Sequence, residues 1–424
     1  MQAADVVASD GPPIGSIVEV QDPIEGSYLV LFRDAPEALA DTPAGTSAQV
    51  DAAQAKVDAV MAGVTGEVTH VYRGVLSGFA VEGLTEDEAG VLASHPAVAF
   101  VEQDQVTTAS QANPPSWGLD RVDQRNASLD RNYNSFGRTG AGVNVFVLDT
   151  GIRSSHQDFG GRVRGSVNFV GDGIGGDCDG HGTHVAGTAA GASYGIAKGA
   201  NIWDVKVLNC RGEGSTAGIA AALDWVRVNR SGPSVVNMSI GTNGAVPSLD
   251  MATEQLVGSG VVVVASSGNE NTDACNSSPA RAPSALTVGA TDRNDRRPSY
   301  SNYGSCVDLF APGDGIRSAA HTSDTGSVLE SGTSMAAPHV AGVAALFLGS
   351  NPNATPAQVE QAIESAATPG VVSDARSANL LLYTGLPDTP AGPPEVGNPG
   401  GTWTQCATEG GTCSFSGTKV VQYG

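Results

Sequence analysis

"VNVFVLDTGI", Val143 to Ile152, is a near-continuous apolar run that ends on an acid. A strand with one face in water alternates apolar and polar residues. A run apolar at almost every position needs cover on both faces, the condition of a parallel strand sandwiched between helices. The pattern recurs in "NIWDVKVL" (Asn201 to Leu208), "SVVNMSI" (Ser234 to Ile240) and "GVVVVAS" (Gly260 to Ser266). Helical stretches, Thr216 to Val228 and Leu249 to Val257, lie between them. Residues 117–385 therefore read as a doubly wound α/β domain with a mostly parallel sheet. Such a domain carries its reactive residues beyond the carboxyl ends of the strands.

Upstream, residues 27–107 read as a small α+β unit. "SYLVLF" (Ser27 to Phe32) is a strand, and Val50, Ala53, Val57, Val60 and Met61 recur at helical spacing. "VTHVYRGVLSGFAVEGL" (Val68 to Leu84) predicts a hairpin turning near Arg73-Gly74 or Ser77-Gly78. Thr85 with Glu88 forms a capping box ahead of a short helix that ends by Pro96, and "AVAFVEQD" (Ala97 to Asp104) closes the unit. Strand, helix, two strands, helix, strand is the ferredoxin-like order. Residues 1–26 read as a flexible leader and 108–116 as an exposed linker. A Pro/Gly linker follows at 386–401, and the tail 402–424 is too short for a full domain.

At 424 residues the chain exceeds one ordinary core, in keeping with this division. No apolar run approaches membrane-spanning length. Acidic residues outnumber basic ones 44 to 22, a formal charge of −22, which argues against nucleic-acid partners. The six cysteines (Cys178, Cys210, Cys275, Cys306, Cys406, Cys413) form no CxxC, so disulfides in an oxidising compartment are favoured over metal. Met1-Gln-Ala-Ala-Asp lacks both a basic and an apolar segment. The expectation is an exported protein whose signal segment is absent from this chain.

Polar residues at strand exits carry the chemistry. Asp149 ends the first apolar run, His181 opens a small-residue helix in "DGHGTHVAGT", and Asn269 follows the strand in "VVVVASSGNEN". Ser334 opens another helix in "LESGTSMAAPHVAGVAAL", where Pro338 is expected in the first turn. Each alone has a structural explanation as a cap, a turn residue or a packed imidazole. His181 and His184 also sit one helical turn apart, but no HExxH glutamate lies between them to argue for zinc. Together the four residues suit acyl transfer. A serine nucleophile needs a base, the base needs an orienting carboxylate, and the oxyanion needs fixed donors.

"VLDTGI", "GHGTHVAG", "NMSIG", "SSGN" and "GTSMAAPHVAG" closely resemble the motifs of the subtilases, in the order Asp, His, Ser. Residues 112–385 are most similar to the secreted proteinase K branch and its aqualysin-like enzymes. "WGLDRVDQR" (Trp117 to Arg125) and "SNYGSCVDLFAPG" (Ser301 to Gly313) carry that likeness. The first unit resembles the inhibitor-type propeptide of these proteases.

The resemblance implies a secreted, self-processing serine endopeptidase. In it Asp149 orients, His181 is base then acid, Ser334 attacks, and Asn269 with the Ser334 amide holds the oxyanion. It implies substrate pairing with Gly212, Glu213 and Gly214. It also implies a primary pocket walled by Ser239, Ile240, Gly241, Ser266, Ser267 and Gly268, with apolar or aromatic preference. Ser266-Ser267 and Thr242 depart from the usual pattern toward a more polar pocket. Disulfides Cys178–Cys210 and Cys275–Cys306 are implied, and Cys406 with Cys413 would close a small loop. Structural calcium is expected at Asp308 with the carbonyls of Pro283 and Ala285, and at Asp120, Asp123, Gln124, Asp130 and Asn132. The expected partners are protein substrates and the chain's own propeptide, with a monomeric enzyme and no nucleic acid or membrane. The rival expectations are an inactive subtilase scaffold and, for "WTQCATEGGTCSFSG", the start of a truncated carbohydrate-binding module.

Overall fold

The computed structural model describes residues 12–20, 23–34, 47–108, 116–129, 131–387 and 389. The first unit runs β1 (Ser16–Val18), β2 (Pro23–Phe32), α1 (Ser47–Val60), β3 (Glu67–Tyr72), β4 (Gly78–Glu82), α2 (Glu86–Ala93) and β5 (Val98–Thr108). Its sheet order is β1-β5-β2-β4-β3, and β5, β2, β4 and β3 are antiparallel neighbours, as the ferredoxin-like order requires. The capping box forms as expected: Thr85 Oγ1 accepts from Glu88 N, and the Glu88 carboxylate accepts from Thr85 N. The leader is shorter than expected. Ser16–Val18 pairs in parallel with β5 and β2 begins at Pro23, because the outer edge of β5 still had backbone groups to satisfy.

The second unit continues with α3 (Gly118–Val122), β6 (Asn144–Asp149), β7 (Val163–Asn168), α4 (His181–Ala190), β8 (Asn201–Lys206), β9 (Glu213–Ser215) and α5 (Thr216–Asn229). Then come β10 (Ser234–Met238), α6 (Pro247–Gly258), β11 (Val262–Ser266), β12 (Leu286–Thr291) and β13 (Leu309–Pro312). The chain closes with β14 (Ile316–Ala319), β15 (Ser327–Glu330), α7 (Thr333–Ser350), α8 (Pro356–Ala366), β16 (Thr368–Pro369) and β17 (Leu380–Leu381). Nine strands form one sheet, β16-β17-β13-β12-β11-β10-β6-β8-β7, parallel except at β16–β17. Side chains alternate across it. Val145, Val147, Val235, Val262 and Val264 join the core with α4 and α7, while Phe146, Leu148, Val236, Val263 and Ala265 join the core with α5 and α6. That two-sided burial is the cause of the near-continuous apolar runs.

The helix Thr333–Ser350 is, by length and composition, apolar enough to cross a membrane, contrary to the sequence expectation. Its apolarity has another cause. It is buried from Thr333 to Leu348 between α4 and the strands β10 to β13.

The two units share a core. β2 sends Val30 and Phe32 into its own unit and Leu29 and Leu31 toward α5 and α6. Two carboxyl groups of β5 meet two helix N-termini and accept from N–H groups that have no partner within the helix. Asp104 accepts from Ala217 N at 3.0 Å at the start of α5. Glu102 accepts from Ser248 N at 2.9 Å at the start of α6, whose N-cap Val246 has no capping side chain. In the other direction Asp224 of α5 accepts from the backbone N–H groups of Arg73, Gly74 and Val75.

Candidate active site

Asp149 lies at the exit of β6, completely buried, and its Oδ1 accepts from Thr150 N at 2.7 Å. The same oxygen is 2.7 Å from Nδ1 of His181, the first residue of α4. A Cβ at position 182 would collide with the Gly151 carbonyl and the Asp149 side chain, so glycine there lets α4 close onto β6. Nε2 of His181 is buried with no hydrogen-bond partner among the described residues. Burial pulls the imidazole pKa down, but the contacting Asp149 carboxylate, then Glu330 and Asp179, outweigh it and raise it to about 9.

Ser334 is completely buried and stands second in α7. Thr333 opens the helix after Gly332, so Ser334 is not the cap the sequence suggested. Pro338 also lies deeper in the helix than expected. Having no N–H, it cannot donate to the Ser334 carbonyl. Ser239 Oγ donates to that carbonyl instead, at 2.7 Å, and Ser334 Oγ donates back to the Ser239 carbonyl at 3.2 Å. Ser239 thus braces the serine. Asn269 follows β11, and its Oδ1 accepts from Thr333 N at 2.8 Å and Thr333 Oγ1 at 3.2 Å. With Oδ1 committed, the amide presents Nδ2, a donor, on its other side.

Asp177 holds the corner together and was missed in the sequence. Oδ1 accepts from Thr150 Oγ1, Asp179 N and Gly180 N, and Oδ2 from Thr183 N and Oγ1, tying β6 to the start of α4. An acid ahead of a helix start, in "DCDGHGTH", was the available signal.

Beside Asn269 a small open cavity is lined by Gly241, Thr242, Asn243, Ser266, Gly268, Glu270, Ser277 and Ala280. Gly241, Ser266 and Gly268 of the expected wall line it. Ser239, Ile240 and Ser267 do not, being turned into the protein interior. Asn243, Glu270, Ser277 and Ala280 were not anticipated, since they come together only through loop packing.

Glu213 and Gly214 sit beside β5 rather than at the cavity, with Gly212 just ahead of them. β9 pairs antiparallel with β5, in the register Val106↔Ser215, Thr107↔Gly214, Thr108↔Glu213. A side chain at Gly214 would strike the Val207 carbonyl. Disulfides Cys178–Cys210 and Cys275–Cys306 both form, with sequence separations of 32 and 31. Loops of that size correspond to about 3–4 kcal/mol in the chain-entropy account. Cys406 and Cys413 lie outside the described residues.

Of the expected metal ligands, Asp308 is largely buried beside β12, accepting from Thr287 N at 2.7 Å. Asp120 accepts from Arg131 N and from Gln124 Nε2, and Asp123 accepts from Asn134 N. Asp120, Asp123, Gln124 and Asn132 therefore belong to one turn region, while Asp130 lies outside the described residues. His184 is not brought into a metal pair, since its Nε2 contacts the Ile316 carbonyl at 2.8 Å.

Residues 140–386 match the Subtilase family, and residues 27–110 match Peptidase inhibitor I9. The chain is 45% identical to the Extracellular serine proteinase of Thermus sp. (strain Rt41A), over 89% of this chain and 95% of that protein. It is 42% identical to Proteinase R of Parengyodontium album, over 90% of this chain and 94% of that one. The crystal structure of a cold adapted subtilisin-like serine proteinase superposes with a TM-score of 0.61 at 52% identity, covering 64% of this chain and 99% of that one. The chain belongs to the subtilase family. It is a subtilisin-like serine protease that carries an inhibitor-type propeptide ahead of its peptidase domain.

If Asn269 Nδ2 holds the oxyanion, Asn269→Ala should still be labelled by a fluorophosphonate but lose about 10²–10³ in kcat. Peptide hydrolysis at the parent rate would contradict the assignment.

Proposed function

We propose that the chain is the precursor of an extracellular endopeptidase that cuts itself free of its own inhibitor. The observation that carries this is the β5–β9 pairing. The last strand of the first unit lies antiparallel on Glu213–Ser215, where an extended substrate would add as a strand, and its described residues end at Thr108. Cleavage just beyond would leave the first unit bound as a product. The extracellular setting rests on the two disulfides and on a relative named as extracellular.

In the proposed reaction Ser334 Oγ attacks the substrate carbonyl as His181 Nε2 takes its proton. Asp149 holds the imidazole by Nδ1 and stabilises the imidazolium. The tetrahedral oxyanion accepts from Asn269 Nδ2 and from the Ser334 N–H at the positive end of α7. His181 then protonates the leaving amine, and water releases the acyl group by the reverse path. We assign the cavity beside Asn269 to the side chain on the acyl side of the cut. Gly241, Gly268 and Ala280 leave room for an apolar or aromatic group, and Thr242, Asn243, Ser266 and Glu270 make its lining more polar.

We also propose structural calcium at Asp308, whose carboxylate is the hard oxygen donor that such an ion takes. Burial pushes this carboxyl up to about 7, a cost that a bound divalent cation would offset. Among the described residues no three His, Cys, Asp or Glu side chains converge on a metal position. A calcium ion here would rely on backbone carbonyls, expected from Pro283 and Ala285, together with the Asp308 carboxylate, and it would supply stability rather than chemistry. Asp120, Asp123, Gln124, Asp130 and Asn132 are the proposed second set.

Two outcomes test these proposals. Active protein should run as a light and a heavy fragment, the heavy one beginning within residues 108–113 by N-terminal sequencing, while Ser334→Ala stays intact. A distant start, or cutting of the pure Ser334→Ala protein, would contradict self-processing. Chelator should lower the Tm of the parent but not that of Asp308→Ala by the same amount, because only the native state binds the ion. Equal responses would remove Asp308 from the site.

A further inference from the structure

Asn243 and Gly244 form the only Asn-Gly step in the 424 residues. The step falls in the loop between β10 and α6, outside any helix or strand, and Asn243 is exposed. The loop is pinned on either side of it. Thr242 N donates to the Ser278 carbonyl at 3.0 Å, and Ser278 N donates back to Thr242 Oγ1 at 3.0 Å. Thr242 Oγ1 in turn reaches across Asn243 and donates to the Gly244 carbonyl at 2.6 Å. Asn243 is thus the tip of a tight bend held against Ser278. Gly244 has a φ of 154°, a backbone region that residues with a Cβ rarely adopt, so the bend favours glycine after the asparagine.

That step is chemically reactive. Asparagine is thermolabile because the next backbone nitrogen can close a five-membered ring onto its side-chain carbon. Glycine has no side chain to shield that nitrogen. Among the described residues the Gly244 N–H donates to no group, so the attack breaks no hydrogen bond. The surroundings give the reaction a consequence. Asn243 lines the cavity beside Asn269 together with Thr242, Ser266, Ser277 and Glu270. Of the lining residues only Glu270 is ionisable, and its carboxylate accepts from Asn302 Nδ2 at 2.8 Å.

We propose that Asn243 is a site of self-modification, where spontaneous deamidation adds a carboxylate to the cavity and shifts selectivity toward cationic side chains. The Gly244 nitrogen gives its proton to hydroxide and attacks Cγ of Asn243. The bond from Cγ to the side-chain nitrogen breaks, ammonia leaves, and a succinimide closes. Water then adds to one ring carbonyl and opens the ring to aspartate or isoaspartate. No electrons are exchanged, and water is the one co-reactant. The new carboxylate shares the cavity with Glu270, so a lysine or arginine side chain is attracted by two anions where the parent offers one. This inference rests on the cavity taking the residue on the acyl side of the cut.

Peptide mapping and paired kinetics on the activated enzyme test it. During mildly alkaline incubation the peptide carrying Asn243 should gain the mass difference between an amide and an acid. Over the same period kcat/KM for a substrate with lysine on the acyl side, divided by that for phenylalanine, should rise about fivefold or more. The ratio is independent of enzyme lost to autolysis. Asn243→Asp should show the raised ratio from the outset. Asn243→Gln, whose larger ring closes far more slowly, should show no drift from its own starting ratio. An unchanged mass at Asn243 after incubation would overturn the inference. Deamidation at Asn243 with a parent ratio in both the incubated enzyme and Asn243→Asp would instead overturn the assignment of the cavity to the acyl-side residue.

Discussion

A strand edge is incomplete on its own. The N–H and C=O groups of Glu213–Ser215 that face away from their own domain need another backbone. In this chain β5 supplies it. The rest of the inhibitor-type unit is arranged around that pairing. β1 and β2 flank β5 in its own sheet, Glu102 and Asp104 of β5 meet the N-termini of α6 and α5, and Leu29, Leu31 and Phe100 extend the peptidase core. The contact surface is thus continuous from the hydrophobic core to the cleft. A unit held over that whole surface keeps β5 extended along the edge that we assign to substrate.

The reactive corner depends on the same economy of polar groups. The sheet is apolar on both faces, so Asp149 can be tolerated only where β6 ends and the start of α4 brings N–H groups and an imidazole to meet it. Asp177 and Thr150 lock that meeting, and the reciprocal Ser239–Ser334 bonds lock the other half of the site. Pro338 forces the second lock, because it leaves the Ser334 carbonyl without a helical donor. In this account the geometry fixes which atoms react.

Much of this was legible in the sequence. The four apolar runs marked central strands because each is buried on both faces, and Thr85 with Glu88 marked a helix start through purely local chemistry. Asp149, His181, Asn269 and Ser334 stood out as polar residues at strand exits and helix starts, and the structure places Asp149 in contact with His181 and Asn269 in contact with Thr333. What was not legible depends on contacts distant in sequence. β1 pairs with residues more than eighty positions away, and Ser239 looked like pocket wall until the missing N–H of Pro338 gave it another partner. Asn243, Glu270, Ser277 and Ala280 line the cavity only because separate loops meet there.

The central claim is that β5 occupies the substrate edge of the enzyme that it precedes. Hydrogen exchange of the backbone amides in residues 209–215 measures this directly. The intact Ser334→Ala precursor would be compared with the enzyme separated from its first unit. The account predicts slow exchange at Glu213–Ser215 in the precursor and markedly faster exchange once β5 is gone. Equal exchange in the two forms would contradict it.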